Sequence, residues 1–186
     1  MSTHVRGVSW YVGAPGAGKT HLARCHAREL ARERRVPVVV LDSTGAMDDY
    51  PAVAVDRVPG AVWSAPRRSV RVVPADQAGV DRVAAMVLAG RDAVLLVDEA
   101  GWWLGAHSRG GPLLRLIRAW RHARVDVLLT TQAISGDVPQ SCLATATCVF
   151  AFRQTSPASI LRLQQIGVPL RGMDRLCDRQ YVATVL

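Results

Sequence analysis

An α/β layer fold around a mostly parallel sheet, with helices on both faces, is what this sequence predicts. Three observations predict it. The apolar runs at 36–41, 93–97 and 125–129 are near-continuous rather than alternating, the pattern of strands buried on both faces. They alternate with stretches of helical periodicity, as crossover connections between parallel strands require. Between the first strand and the first helix lies Gly13-Ala14-Pro15-Gly16-Ala17-Gly18-Lys19-Thr20, which satisfies G-x-x-x-x-G-K-[ST] at every position.

The elements come in this order. Val8-Ser9-Trp10-Tyr11-Val12 reads as a short buried strand. A helix over 19–34 carries Leu22, Ala23, His26, Ala27, Leu30 and Ala31 on one stripe, with Arg24, Arg28 and Arg32 opposite. A strand at 36–41 leads into an irregular stretch, 42–66, which is long for a connection. Either that stretch is a functional loop or it hides a short helix around Ala46 to Ala52. Strand 69–73, helix 77–89 and strand 93–98 come next, then an irregular segment from Gly101 to Gly111. Helix 111–123, with Pro112 suited to its first turn, precedes strand 125–131. Strand 147–152, helix 156–166 and strand 180–185 complete the chain. In such sheets ligands bind at the carboxyl ends of the strands, and each polar motif falls at such an end.

Composition narrows the class. A length of 186 residues predicts one domain, 1–186, and 49% hydrophobic residues argue against disorder. No apolar run approaches the ~18 residues of a membrane helix, so no membrane insertion of its own is expected. A signal peptide does not fit ahead of a loop that begins at Gly13. The four cysteines (Cys25, Cys142, Cys148, Cys177) form no C-x-x-C pair and read as buried or semi-buried thiols of a reducing compartment. His21 and Cys25, spaced i, i+4, supply half of a zinc site. The net charge is +8, a surplus whose simplest use is attraction to a polyanion such as nucleic acid. Its rival is a compositional bias that leaves solvated arginines.

The chemistry begins at a single ammonium. Lys+Arg is 23, and Lys19 is the one lysine among them. A compact charge on a thin stem slides between β- and γ-phosphate oxygens inside a ring of N–H groups, where a planar guanidinium is too wide. Strand, glycine loop and helix is the context the motif needs, because the loop N–H groups and the helix N-terminus present positive partial charge to an anion. Gly13, Ala14, Pro15, Gly16, Ala17, Gly18, Lys19, Thr20 and His21 are therefore the expected nucleotide contacts. The Thr20 hydroxyl is expected on Mg²⁺.

Val94-Leu95-Leu96-Val97-Asp98-Glu99 is the Walker B pattern, four apolar residues followed by two acids. Asp98 is expected to hold the Mg²⁺ shell, and Glu99 to polarise a water for in-line attack on the γ-phosphorus. A kinase must exclude water, so the adjacent second acid favours hydrolysis. Leu128-Leu129-Thr130-Thr131-Gln132 ends the next strand with a neutral amide placed to touch both the attacking water and a phosphate oxygen. In the preceding helix, Leu113, Ile117 and Trp120 form the inward stripe, with Arg115, Arg118 and His122 on another face. Arg121 falls at the edge of the buried stripe, where desolvation is costly unless it meets an anion. It is expected to pair with Glu99 or to reach a neighbour's γ-phosphate. Arg153, after Val149-Phe150-Ala151-Phe152, is the second finger candidate, and the sequence does not choose between them. Trp102 and Trp103 are expected to pack under the helix; stacking on nucleobases or lining a DNA-facing loop is the alternative.

With these pieces in order, the chain resembles the HerA/FtsK superfamily of motors, whose fold is a RecA-like P-loop NTPase core. The resemblance rests on Gly13–Thr20, Val94–Glu99, Arg121-His122 before an apolar strand, Thr131-Gln132, Phe150-Ala151-Phe152-Arg153, and the terminal Gln180–Val185 strand. It covers nearly the whole chain. Among small members it is similar to the genome-packaging ATPases of membrane-containing icosahedral DNA viruses. That resemblance implies ATP and Mg²⁺ as cofactors and a homo-oligomeric ring, hexameric by analogy. It implies pumping of double-stranded DNA through sequence-independent backbone contacts. It also implies a capsid or vertex protein as partner, at the virion packaging vertex or in the host cytoplasm. Zonula-occludens-toxin-like assembly proteins and DNA-transfer ATPases share the core. Two rivals from other classes are a small P-loop nucleotide or metabolite kinase and a non-catalytic P-loop interaction protein.

Overall fold

The computed structural model describes residues 6–45, 47–64, 68–105, 110–134, 138–154, 156–169, 175–177 and 179–186. Seven strands form one sheet: β1 (Val8–Val12), β2 (Val38–Leu41), β3 (Val70–Val72), β4 (Ala93–Val97), β5 (Val125–Thr131), β6 (Cys148–Phe152) and β7 (Tyr181–Val185). Their order across the sheet is β3-β2-β4-β5-β1-β6-β7. All neighbours pair parallel except β7, which returns antiparallel along β6. This is the mostly parallel α/β sheet that the continuous apolar runs predict, in the RecA-like P-loop form that the family resemblance implies. Strands β1, β2, β4, β5 and β6 are buried along their whole length, as a sheet covered on both faces must be.

The parallel alignment brings the carboxyl ends of β1, β4, β5 and β6 to one edge. Val12 lies beside Thr131 on one side and Ala151 on the other, and Val97 lies beside Leu129. Every sequence motif that leaves a strand therefore emerges at that edge.

Two apolar layers flank the sheet. On one face, α1 (Lys19–Arg34) lays Ala23, Ala27 and Leu30 against Val40, Val94, Leu96 and Leu128. His26 is buried on the same stripe and is satisfied by the Tyr11 hydroxyl at 2.7 Å. On the other face, α3 (Gln77–Gly90) and α5 (Pro112–Ala123) pack on Val39, Leu95, Val97, Val127 and Leu129. Each valine and leucine among them, fully buried, contributes roughly 1.5–3 kcal/mol of transfer free energy.

Local signals explain the boundaries. Helix α1 ends where Arg35 turns left-handed, at φ 54, and the Val36 N–H closes back on the Ala31 carbonyl at 3.0 Å. The strand expected from 36 consequently begins at Val38, because Val36 belongs to that cap and Pro37 has no N–H to give. Helix α3 is capped by Asp76, whose carboxylate accepts the Gly79 N–H at 2.8 Å.

The stretch 42–66 departs from expectation. A helical turn at Val55–Arg57 runs into α2 (Val58–Trp63), so the short helix lies later than Ala46 to Ala52. Ala46 itself is outside the described residues. The chain from Met47 to Ala52 is held by other contacts: the Met47 N–H donates to Asp42, and Ala52 bridges to Arg71. Trp63, at the end of α2, lies against Gly90 so closely that a Cβ there would stand 2.2 Å from the indole, and its Nε1 donates to the Arg91 carbonyl. Two further short helices were not expected, α4 (Ala100–Trp103) and α6 (Gln140–Leu143). The rest of the segment expected to be irregular includes 106–109, which are outside the described residues. The final helix, α7, spans Pro157–Gln165 behind a Ser156 cap.

The cysteines divide. Cys142 and Cys148 are buried, and burial pushes both thiols up to about 11. Cys25 and Cys177 are exposed, contrary to expectation. Among the described residues no helix is long and apolar enough to cross a membrane.

Candidate active site

The site is built where β1 gives way to α1. The Gly13 N–H donates to the Thr131 carbonyl at 3.2 Å and the Ala14 N–H to the Arg153 carbonyl at 3.0 Å, so the loop is hung from both neighbouring strands. A Cβ on Gly13 would stand 2.5 Å from the Phe152 Cβ, which leaves room only for glycine. Gly16 and Gly18 have φ of 74° and 100°, the left-handed region that favours glycine. These conditions curl the loop around a cavity of about 310 Å³ lined by Gly16, Gly18, Lys19, Thr20, His21 and Arg179.

Of the nine expected nucleotide contacts, five line this cavity. Gly13 and Ala17 are buried behind it, Ala14 ties the loop to β6, and Pro15 is exposed at the turn. Lys19 is 5% exposed, and its Nζ donates to the Ala14 carbonyl at 3.0 Å. Burial lowers its pKa, while Glu99 and Asp98 pull it back up. A phosphate would relieve that desolvation.

The acid pair meets the loop from β4. Thr20 Oγ1 donates to Asp98 Oδ1 at 3.2 Å. Two more hydroxyls converge on this carboxylate: Thr130 at 2.8 Å on Oδ1 and Thr44 at 3.2 Å on Oδ2. A hydroxyl beside a hydrogen-bonded carboxylate is an all-oxygen donor set, and it fits a hard divalent cation such as Mg²⁺.

Glu99 is 8% exposed and has φ of 48°, a left-handed backbone that a side-chain-bearing residue rarely adopts. Its N–H donates to Thr130 Oγ1 at 3.0 Å, and its Oε1 accepts from Gln132 Nε2 at 3.1 Å. The structure thus brings together Lys19, Thr20, Asp98, Glu99 and Gln132.

It does not bring Arg121 to Glu99. Arg121 is exposed, not at the edge of a buried stripe, and its guanidinium lies over the Trp120 ring, 5.1 Å from the centroid. The reason is topological. Helix α5 feeds the amino end of β5, while Glu99 stands at the carboxyl edge, so the length of β5, roughly 20 Å at ~3.3 Å per residue, separates them. The inward stripe of α5 is instead Leu113, Leu114, Leu116 and Ile117, and Trp120 is only half-buried. Arg153 is at the carboxyl edge, with its carbonyl on the loop. The two tryptophans also separate: Trp103 packs on the core and donates to Ser43 Oγ at 2.7 Å, whereas Trp102 is 62% exposed. His21 Nε2 lies 3.9 Å from Cys25 Sγ, and among the described residues no third ligand joins them in a metal cluster.

Three neighbours of these groups are invisible to the motif pattern. Thr130 and Thr44 look like ordinary strand-end hydroxyls until pairing places them beside Asp98. Arg179 is hidden because its place depends on β7 folding back along β6. Pairing the last strand with 147–152 would have revealed it.

Solved structures share this fold. The genome-packaging NTPase B204 of Sulfolobus turreted icosahedral virus 2, in complex with AMPPCP, superposes with a TM-score of 0.81. Identity is 13%, over 97% of this chain and 92% of that one. Its complex with ATP-γS gives 0.76 at 14% identity and the same coverage. The fold is the one that B204 has. The pCW3 conjugation coupling protein TcpA, bound to ATP-γS, aligns at a TM-score of 0.54 and 10% identity, over 87% of this chain and 51% of that one. At such identities the likeness is one of fold. No family model and no curated protein matches the sequence.

Proposed function

We propose that this chain is an ATP-hydrolysing motor subunit that moves double-stranded DNA, of the kind that packages a viral genome into a capsid. The observation that carries the reading is the joint placement of Asp98 on Thr20 and Glu99 on Gln132 at the rim of the loop. ATP occupies the cavity, with Lys19 against the β- and γ-phosphates. Thr20 and Asp98 hold Mg²⁺, which when bound neutralises charge on the phosphate oxygens. Glu99 accepts the proton of the attacking water, and Gln132 positions both that water and the Glu99 carboxylate.

A route for coupling runs from the acids outward. Ser43 Oγ donates to the Asp98 carbonyl at 2.6 Å and accepts from Trp103, so α4 is tied to the metal-binding acid. The same short helix carries the exposed Trp102 toward the surface. A change at the γ-phosphate that moves Asp98 or Glu99 moves this helix. The basic surplus supports a polyanionic track: Arg115, Arg118 and Arg121 stand exposed at i, i+3, i+6 on α5. The family resemblance implies that the working form is a ring of identical subunits and that the remaining partner is a capsid or vertex protein.

The deciding experiment is phosphate release from ATP with and without double-stranded DNA of unrelated sequences. Stimulation by every sequence, weakening as salt rises, is the expected result. Hydrolysis indifferent to DNA but dependent on a small hydroxyl acceptor would overturn the motor reading in favour of a kinase.

A further inference from the structure

The geometry points to Arg179 as a nucleotide-binding residue of the same subunit, one that grips the diphosphate portion and contributes affinity rather than turnover. This rests on the nucleotide-binding reading above and adds a cation to it. Arg179 lines the loop cavity together with Lys19, Thr20 and His21. Its backbone is fixed to the loop: the Arg179 N–H donates to the Ala17 carbonyl at 3.1 Å. Its Cα and Cγ both lie 3.4 Å from where a Cβ on Gly18 would stand, so the root of the side chain rests directly on the last loop glycine.

The support behind it is firm. Two residues on, Tyr181 pairs with Phe152 across the antiparallel β6–β7 pair, with ring centroids 5.3 Å apart, and Phe152 packs on Gly13. On the other side the Gln180 N–H donates to the Cys177 carbonyl, and the Cys177 N–H donates to Gln180 Oε1 at 3.0 Å. A guanidinium mounted on such a base offers a planar fork of donors to phosphate oxygens, bidentate where geometry allows.

Its position decides which part of the ligand it serves. Its own contacts are with Ala17 and Gly18, and although Lys19 and Thr20 share the cavity, neither Asp98 nor Glu99 lines it. Arg179 therefore faces the part of the polyphosphate that survives cleavage, not the γ-phosphorus. A contact made equally in substrate, transition state and product changes binding and leaves the chemical step untouched. That separates Arg179 from an arginine finger, whose work would be on the transition state.

The test compares wild type, Arg179→Gln and Arg179→Lys by titration with fluorescent ADP and a non-hydrolysable ATP analogue, and by steady-state ATPase assay. Arg179→Gln keeps the aliphatic stem on Gly18, so the nucleotide-free melting temperature should match wild type. Binding of both nucleotides should weaken by about tenfold, KM should rise in step, kcat should change less than about twofold, and Arg179→Lys should recover part of the loss. Unchanged binding in Arg179→Gln, a loss confined to the ATP analogue, or a fall in kcat at constant KM would each overturn the assignment. Wild type that binds no nucleotide would instead overturn the reading on which it rests.

Discussion

Glu99 stands where a carboxylate is unwelcome. It is nearly buried and left-handed, and such a backbone costs about 1–3 kcal/mol that surrounding contacts must offset. Thr130 takes its N–H and Gln132 takes its carboxylate, while a second bond from Thr130 fixes Asp98. One hydroxyl thus sets the position of both acids. Strain held in place by specific partners marks a group whose location matters more than its comfort. Glu99→Gln should preserve that location, since an amide oxygen also accepts from Gln132, yet it removes the base. Nucleotide affinity should stay within about twofold of wild type, and turnover should fall by on the order of 10²–10⁴. Single-turnover hydrolysis beside a binding titration checks it, and a variant that still cleaves ATP at the wild-type rate would exclude Glu99 as base. The loop, both acids and Gln132 were legible in the sequence because spacing alone places them after strands. Thr130, Thr44 and Arg179 were not, because their roles come from which strands lie side by side.

At the scale of elements, the antiparallel pair of β6 and β7 is the wall that shapes the loop. Phe152 leaves no room for a Cβ on Gly13, Arg153 accepts the Ala14 N–H, and Arg179 covers Gly18. Gly13→Ala forces the loop off this wall. The methyl meets the Cβ of a buried strand residue at 2.5 Å, not the end of a flexible side chain, so the strain has no cheap outlet. A loss of about 1–3 kcal/mol in unfolding free energy is expected, together with weaker nucleotide binding. Denaturant unfolding with and without nucleotide measures both, and wild-type values in both would show that the wall does not constrain the loop. Long elements were readable because α1, α3 and α5 each run three turns or more and the central strands are uninterrupted. Helices α2, α4 and α6 have only six, four and four residues, too few for a 3.6-residue period to register. Tertiary contacts stabilise them instead: Trp63 on Gly90 for α2, and Trp103 on Ser43 for α4.

Across the whole molecule, the sheet has polarity. Its carboxyl edge holds the loop and the acids, and its amino edge holds the end of α5 with Arg121 exposed. In a head-to-tail ring each subunit joins two different surfaces, so a residue that completes a neighbour's site belongs far from its own. Arg121 meets that condition; Arg153, whose carbonyl hangs the subunit's own loop, does not. The charge of the chain agrees with a basic exterior, because Asp42 and Asp126 are buried against Arg71 and Arg34 and leave the surplus on solvent-facing arginines. If Arg121 acts across the interface, Arg121→Ala and Glu99→Gln should each be inactive alone, for different reasons. The first has an intact site but offers no finger; the second has a dead site but still offers one. Mixed one to one and reassembled, they should regain ATPase activity, to about a quarter of wild type where sites fire independently, because a productive site then needs one particular order of neighbours. Full activity in Arg121→Ala alone, or no recovery in mixed assemblies shown to contain both variants, would remove Arg121 from the catalytic interface and leave it to the basic stripe on α5.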